Sequence, residues 1–536
     1  MRIGPQAHPI ASNSKGSTQM EQVKLYDTTL RDGMQGEGMS LSAPEKLRVV
    51  KALDGLGVQM IEAGFPSSNP KEEELFAALA GIEFQQAVVC GFGMTRRRGV
   101  EASEDPALLT LVDSFAPVVT LVGKTWALHL EKVTKVSREE NLAMIAESVA
   151  FCRERGKRVA YDAEHFFDSY REDPGYALSC LEAAIDAGAE NVTLCDTNGA
   201  SLPNQVAAAT EVVVGRFGGR AEVGIHAHDD AGCGVANSLA AVDAGARMVQ
   251  GTVNGYGERC GNANLTTILP ALQLKMGFDV VPPENLETLT ETVHFIDELC
   301  NLTPDPNAPY VGRNAFAHKG GIHVAGIEAE ARSYEHIEPA AVGNERAILP
   351  SELSGKATIR DQAAAAGLEI DDATASRAIE VLKEREHRGF HYEAAPASFE
   401  LLLRHEAGVY QPLFELESYR VVTQRRAGGE VETEATVKVN VDGERFVEIA
   451  EGNGPVSALD KALRKAITGR HPHLSDIELT NYKVRILDQD RGTDAVTRVL
   501  LDSADGEREW GTIGVSGNVI EASWQALVDS LEYAFQ

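Results

Sequence analysis

Hydrophobic positions from residue 23 onward fall into a recurring unit. A short run rich in Val, Ile and Leu is followed by a polar loop and then by an Ala/Leu/Glu-rich stretch of helical character. Eight such runs are found, at 23–29 (VKLYDTT), 58–65 (VQMIEAGF), 86–92 (QAVVCGF), 117–123 (PVVTLVG), 158–166 (RVAYDAEHF), 191–198 (NVTLCDTN), 222–229 (EVGIHAHD) and 247–254 (RMVQGTVN). Helical stretches are predicted between them, for instance over 137–156, 175–188, 203–217 and 232–245. Strand alternating with helix implies a parallel sheet. Eight units in about 250 residues fit a closed (β/α)8 TIM barrel better than an open, doubly wound sheet.

The pattern changes after about residue 280. Segment 284–303 reads as a helix, 304–330 as a Pro/Gly/His-rich crossover, and 350–390 as helical. The tail has alternating strands (YRVVTQ, EATVKVNV, YKVRILD, AVTRVLLD) and two helices, 455–468 and 518–535, which suggests an α+β domain. The expected organisation is a disordered leader over 1–22 with Met20 as a candidate start, a barrel over 23–283, crossover and helical linker subdomains over 284–412, and a C-terminal α+β domain over 413–536.

Composition narrows the function classes. The chain has 536 residues, 43% hydrophobic and 24% charged, as expected for a globular protein of several domains. A formal net charge of −30 argues against nucleic acid as a partner. Arg96-Arg97-Arg98 is a local exception, read either as a solvated loop or as a pocket for one anionic ligand. Seven cysteines without a CxxC pair fit reduced thiols and a cytoplasmic location. No run of about 18 apolar residues predicts a membrane span.

Polar residues gather at one end of the predicted barrel. Asp27, Asp32, Glu62, Glu164, Thr197, His226, His228 and Glu258 lie at or just after the C-terminal tips of their strands, the catalytic face of such barrels. HAHDD (226–230) is the sharpest local signal, because residues i and i+2 of a strand share a face. His226 and His228 therefore point together into the barrel mouth. Asp32 after the first strand and Asn262 after the eighth would join them, since closure puts the eighth strand beside both the first and the seventh. Two imidazoles, a carboxylate and an amide oxygen suit Mn, Mg, Co or Zn. Cys260 is a weaker candidate ligand.

These residues belong to longer motifs: LYDTTLRDGMQGEG (25–38), HAHDDAGCGVANSLAAVDAGA (226–246), GTVNGYGERCGNANL (251–265), AFAHKGGIHVAGI (315–327), VGNERAILPSELSGKATI (342–359), GTDAVTRV (492–499) and GVSGNVIEASWQALVDSLEYAF (514–535). Together they resemble the family of 2-isopropylmalate, homocitrate and citramalate synthases, within the wider barrel group that includes hydroxymethylglutaryl-CoA lyase. Lys319, the segment YDAEHFFDSY (161–170) and GERCGN look most like the citramalate branch. The resemblance implies a divalent-metal-dependent acyltransferase condensing acetyl-CoA, its co-substrate, with pyruvate. It implies Arg31 and Thr197 on the oxo acid, Glu164 as the carbon base, and Glu258 and His323 as acid/base helpers, His323 by insertion into a partner subunit's site. It also implies a homodimer or higher homo-oligomer and a tail that answers an amino-acid effector, isoleucine. Asp229 departs from the Asn of many relatives, either tuning the site or capping the next helix. Three further readings are a 2-isopropylmalate synthase acting on 2-oxoisovalerate, a lyase that cleaves an acyl-CoA without net condensation, and a metal-binding amino-acid sensor without catalysis.

Overall fold

The computed structural model describes residues 20–66, 69–319, 321–348, 355–425, 427–487, 492 and 495–536. The leader expected over 1–22 lies outside them except for residues 20–22, where Gln22 already bridges to Asp279. The start of the expected helical stretch, 350–354, also lies outside.

Eight strands close into a barrel in sequence order: β1 (Lys24–Asp27), β2 (Met60–Gly64), β3 (Val88–Met94), β4 (Val118–Lys124), β5 (Arg158–Glu164), β6 (Asn191–Asp196), β7 (Glu222–Ala227) and β8 (Met248–Gly251). All pairings are parallel, and β8 returns to β1 with Leu25 opposite Val249. Helices start where the sequence offers a cap followed by proline. Asn69, Asp105 and Asp173 accept main-chain N–H groups ahead of Pro70, Pro106 and Pro174.

Side chains alternate along each strand, so the barrel has two faces. One packs Leu25, Val119, Leu194, Val249 and their neighbours into the main apolar core. The other fills the interior with a small apolar cluster of Tyr26, Cys90, Val118 and Met248 and with polar groups. Tyr26 donates to Glu62 at 2.7 Å and meets Thr120 at 2.6 Å, while Gln250 reaches Asp162 at 2.8 Å and Thr193 at 3.1 Å. These buried groups satisfy one another, as burial requires.

Compactness divides the chain into two units, 1–316 with 337–345, and 317–336 with 346–536. In the first, the helix expected over 284–303 is two, Pro283–Leu286 and Leu289–Leu299. In the second, β9 (Ala317–His318) pairs in parallel with β10 (Ala347–Ile348), and three helices follow, Lys356–Ala365, Asp372–His387 and Pro396–Ala407.

Among the described residues the tail holds six strands where four were expected. β11 (Glu415–Arg425), β12 (Val431–Val441) and β13 (Glu444–Gly452) form one antiparallel sheet, followed by the helix Pro455–Ile467. β14 (Glu478–Ile486), β15 (Thr497–Ala504) and β16 (Glu509–Ser516) form a second, followed by Val519–Phe535. The same strand–strand–strand–helix order thus occurs twice. The missed strands are the acidic β13 and the glycine-containing β16, both poor in intrinsic strand signal. Among the described residues no helix is long and apolar enough to cross a membrane.

Candidate active site and metal centre

β7 supplies both histidines. His226 and His228 are buried, and their Nε2 atoms lie 3.4 Å apart. Asp32 Oδ2 lies 3.3 Å from His226 Nε2. One ligand atom from each of these three residues lies within 4.8 Å of the others. The partners behind His226 fix its tautomer. Gln250, opposite His226 on β8, donates its amide to Asp162 and so turns its oxygen to His226 Nδ1, at 2.9 Å. Nδ1 thus has its partner in Gln250, and Nε2 is the ring atom turned to Asp32 and His228.

Asn262 arrives by the loop 255–262. A short antiparallel bridge sets it beside His228. The loop depends on glycine here: at Gly257 (φ 147°) a Cβ would lie 2.2 Å from Asn262 Nδ2, and at Gly261 (φ 91°) 1.9 Å from the Gly255 carbonyl. Asn262 Nδ2 donates to the Tyr256 carbonyl at 3.1 Å, while its buried Oδ1 has no partner. Two imidazoles with facing Nε2 atoms, a carboxylate and, on the residue bridged to His228, an amide oxygen without a partner are a mixed N/O set of the kind that holds a divalent cation.

Arg31 sits beside this group. Its Nε pairs with Glu62, its Nη1 lies 3.2 Å from Asp32, and its guanidinium stacks over Phe92 at 3.9 Å. Burial alone would lower the Arg31 pKa, but Glu62 and Asp32 raise it, so it stays charged. Burial would raise Asp32, yet Arg31 and His226 hold it well below the usual carboxylate range. Burial opposes a proton on His226, and Asp32 more than offsets this. Burial and the neighbouring His226 push His228 down to about 4. Asp162, buried and near Glu62, is pushed up to about 6.

Across the mouth, Lys124 and Glu164 stand opposite each other in the β4–β5 register and form an ion pair. His165 follows with a left-handed backbone (φ 57°), held by its N–H to Thr197 Oγ1 at 2.8 Å and its Nδ1 to Asp168 at 3.0 Å. His129, Glu164 and His165 form a second group whose ligand atoms lie within 4.8 Å of one another. A cavity of about 440 Å³ opens over the first group and over Glu164 of the second, lined by Arg31, Asp32, Glu164, Thr197, His226 and His228, with Phe65, Phe92, Met94 and Val122 as its apolar wall.

Comparison with known proteins agrees with this geometry. Residues 22–296 match the HMGL-like family, 310–389 the homocitrate synthase post-HMGL domain-like family, and 393–535 the LeuA allosteric (dimerisation) domain. The (R)-citramalate synthase of Synechocystis sp. is 48% identical over 532 residues, covering 97% of each chain. That of Streptomyces coelicolor is 49% identical over 513 residues, covering 95% of this chain and 96% of the other. The chain belongs to the HMGL-like family, in its citramalate synthase group. A 2-isopropylmalate synthase of Methylorubrum populi is more distant, at 32% identity over 517 residues and 95% of each chain.

Within this citramalate synthase framework the barrel brings together Arg31, Asp32, Glu164, Thr197, His226 and His228 around one cavity, with Asn262 beside His228. Glu258 sits at its rim, exposed and 3.6 Å from Arg259. His323 belongs to the second unit, where it is exposed and stacked on Tyr334 at 4.2 Å. Cys260 is exposed and outside the donor group. Asp229 accepts the Gly234 N–H at 2.6 Å, where the helix Gly234–Asp243 begins, the capping alternative. Sequence reasoning passed over Gln250 and Asp162, although each is a polar residue inside an apolar strand. It also passed over Arg259, which grips Asp230 at 2.7 and 2.9 Å and the Thr197 carbonyl at 2.9 Å.

Proposed function

We propose that the chain condenses acetyl-CoA with pyruvate and hydrolyses the thioester, giving citramalate and free CoA, with (R)-citramalate as the hand named for its relatives. The reading is carried by the donor set of Asp32, His226, His228 and Asn262 beside the permanently charged Arg31. A divalent ion held there, Mn, Mg, Co or Zn, would supply Lewis-acid polarisation of the oxo acid's ketone. Arg31 and the Thr197 hydroxyl bind the oxo acid's carboxylate end, Arg31 through its planar fork of donors. Glu164, at the tip of β5, takes a proton from the acetyl methyl. The freed electron pair forms the C–C bond to the ketone carbon, whose oxygen becomes the new hydroxyl. Water then cleaves the thioester C–S bond, and CoA leaves as its thiol. Glu258, and His323 inserted from a second copy of the chain, are proposed acid/base helpers in these proton transfers. Phe65, Phe92 and Met94 are bulky, which favours a short acceptor over 2-oxoisovalerate.

The test is turnover by purified full-length protein with Mn²⁺ and a panel of 2-oxo acids, following thiol release and product NMR. Pyruvate should give the highest kcat/KM; preference for 2-oxoisovalerate would move the assignment to the isopropylmalate branch. We propose further that the tail forms a homodimer and binds isoleucine as feedback effector, supported by its match to an allosteric dimerisation domain. Deleting residues from 413 should abolish inhibition by isoleucine; unchanged inhibition would refute this.

A further inference from the structure

The loop after β3 carries Arg96, Arg97 and Arg98, for which the condensation assigns no work. They do different things. Arg96 is buried and spent: it pairs with Glu140 at 2.8 Å and Glu147 at 2.5 Å, and its N–H donates to Ser148 at 2.8 Å. All three partners lie on the helix Arg138–Glu154, so Arg96 pins the loop to that helix. Arg97 and Arg98 are exposed. Arg98 reaches only the main-chain carbonyls of Thr134 and Lys135, at 3.5 and 3.3 Å. Among the described residues no carboxylate pairs with either guanidinium.

These arginines line a second cavity of about 460 Å³. Phe65, Met94, Val122 and Lys124 line both this cavity and the catalytic one, so the tips of β3 and β4 are their shared wall. Val133, Val136 and Met144 add further apolar lining, and Val133 and Met94 are 60% and 48% exposed. The one carboxylate in the lining, Asp105, is buried and committed to the amides of Arg97, Ala107 and Leu108, at 2.9, 2.9 and 3.3 Å. Leading away from the catalytic cavity, the surface is therefore first apolar and then carries two exposed guanidiniums that no carboxylate among the described residues contacts.

An acyl-CoA has the matching order: a reactive acyl end, a flexible pantetheine arm of low charge, and a nucleotide carrying phosphates. We propose that this second cavity takes the pantetheine arm and the phosphorylated nucleotide of the donor, with Arg97 and Arg98 pairing its phosphates. Arg96 acts as a positioning residue that holds the loop. The choice of CoA rests on the reaction proposed above; the cavity and its charge do not.

The experiment uses the full-length protein and the double variant Arg97→Ser/Arg98→Ser, both surface positions. The KM for acetyl-CoA should rise about tenfold, the loss expected when charge-assisted contacts to phosphate are removed. The KM for pyruvate and kcat should stay within about twofold, a split that a general structural defect would not give. S-acetylpantetheine, which lacks the nucleotide, should be turned over equally by both proteins. Val133→Asp, in the apolar part, should raise KM for both donors. Calorimetric titration with free CoA and with pantetheine gives a readout independent of turnover: only CoA binding should weaken in the double variant. An unchanged acetyl-CoA KM, or an equal loss with S-acetylpantetheine, would overturn the site while leaving the condensation intact. Arginine-dependent CoA binding without condensation would keep the site and overturn the reaction.

Discussion

The barrel mouth holds two groups of three donors, Asp32/His226/His228 and His129/Glu164/His165, each compact enough to grip one ion. Their surroundings separate them. In the first, one guanidinium, Arg31, serves two carboxylates, Glu62 and Asp32, so negative charge is left over. Asn262 adds an oxygen with no other partner. In the second, the Lys124 ammonium already neutralises Glu164, and His165 is tied to Asp168, which Arg171 approaches at 3.9 Å. A resident lysine and a divalent cation compete for the same carboxylate. Donor spacing is thus a weak criterion for a metal site, and so is an orphaned atom, since His129 Nδ1 in the second group also lacks a hydrogen-bond partner; uncompensated charge is the stronger one.

The sharpest way to break this comparison is to remove a ligand. His226→Ala or His228→Ala should abolish retention of Mn²⁺, read by mass spectrometry of the purified protein, and lower kcat/KM by about a thousandfold or more. An enzyme that keeps its metal without either imidazole would reverse the ranking of the two groups. Glu164→Gln should lower kcat by about a hundredfold to ten-thousandfold with the bound metal unchanged. Loss of metal in that variant would make the second group the ion site.

Gln250→Met removes the acceptor that fixes the His226 tautomer and should weaken metal affinity by about 10- to 100-fold in a competition titration. Acid acts on the same residue. The ion must displace the proton that Asp32 favours on His226, whereas His228, pushed down to about 4, is already neutral. Affinity should therefore fall by about tenfold per pH unit once pH drops below the raised pKa of His226. A flat response there would mean that His226 is not a ligand. The smallest effect belongs to Lys124→Ala. Freed of its ammonium, the second group should take up an additional, weakly held divalent ion, seen as two ions per chain instead of one.

Much of the barrel was readable because its signals are local. Every strand lies within about two residues of an expected run, since strand–helix alternation repeats whatever the packing. The pair His226/His228 followed from the two-residue period of one strand. Glu258, marked by its place after β8, does line the cavity, but the loop sets it at the rim, 59% exposed, which local pattern could not show. Gln250 and Asp162 were missed because their importance lies in reaching across the barrel interior, a relation between strands far apart in sequence. The tail's β13 was missed because its alternation is acidic against apolar, a pattern shared with an exposed helix or loop.

By itself the sequence determined which residues could serve: the strand and helix order, the paired imidazoles, and an arginine run out of keeping with an acidic chain. Only the tertiary structure decided which of them are free to serve. It spent Arg96 and Lys124 on neighbouring carboxylates and left Arg97, Arg98 and the Asn262 oxygen unmatched. Charge compensation is a sum over neighbours in space, and closing eight strands into a cylinder chooses those neighbours from the whole length of the barrel.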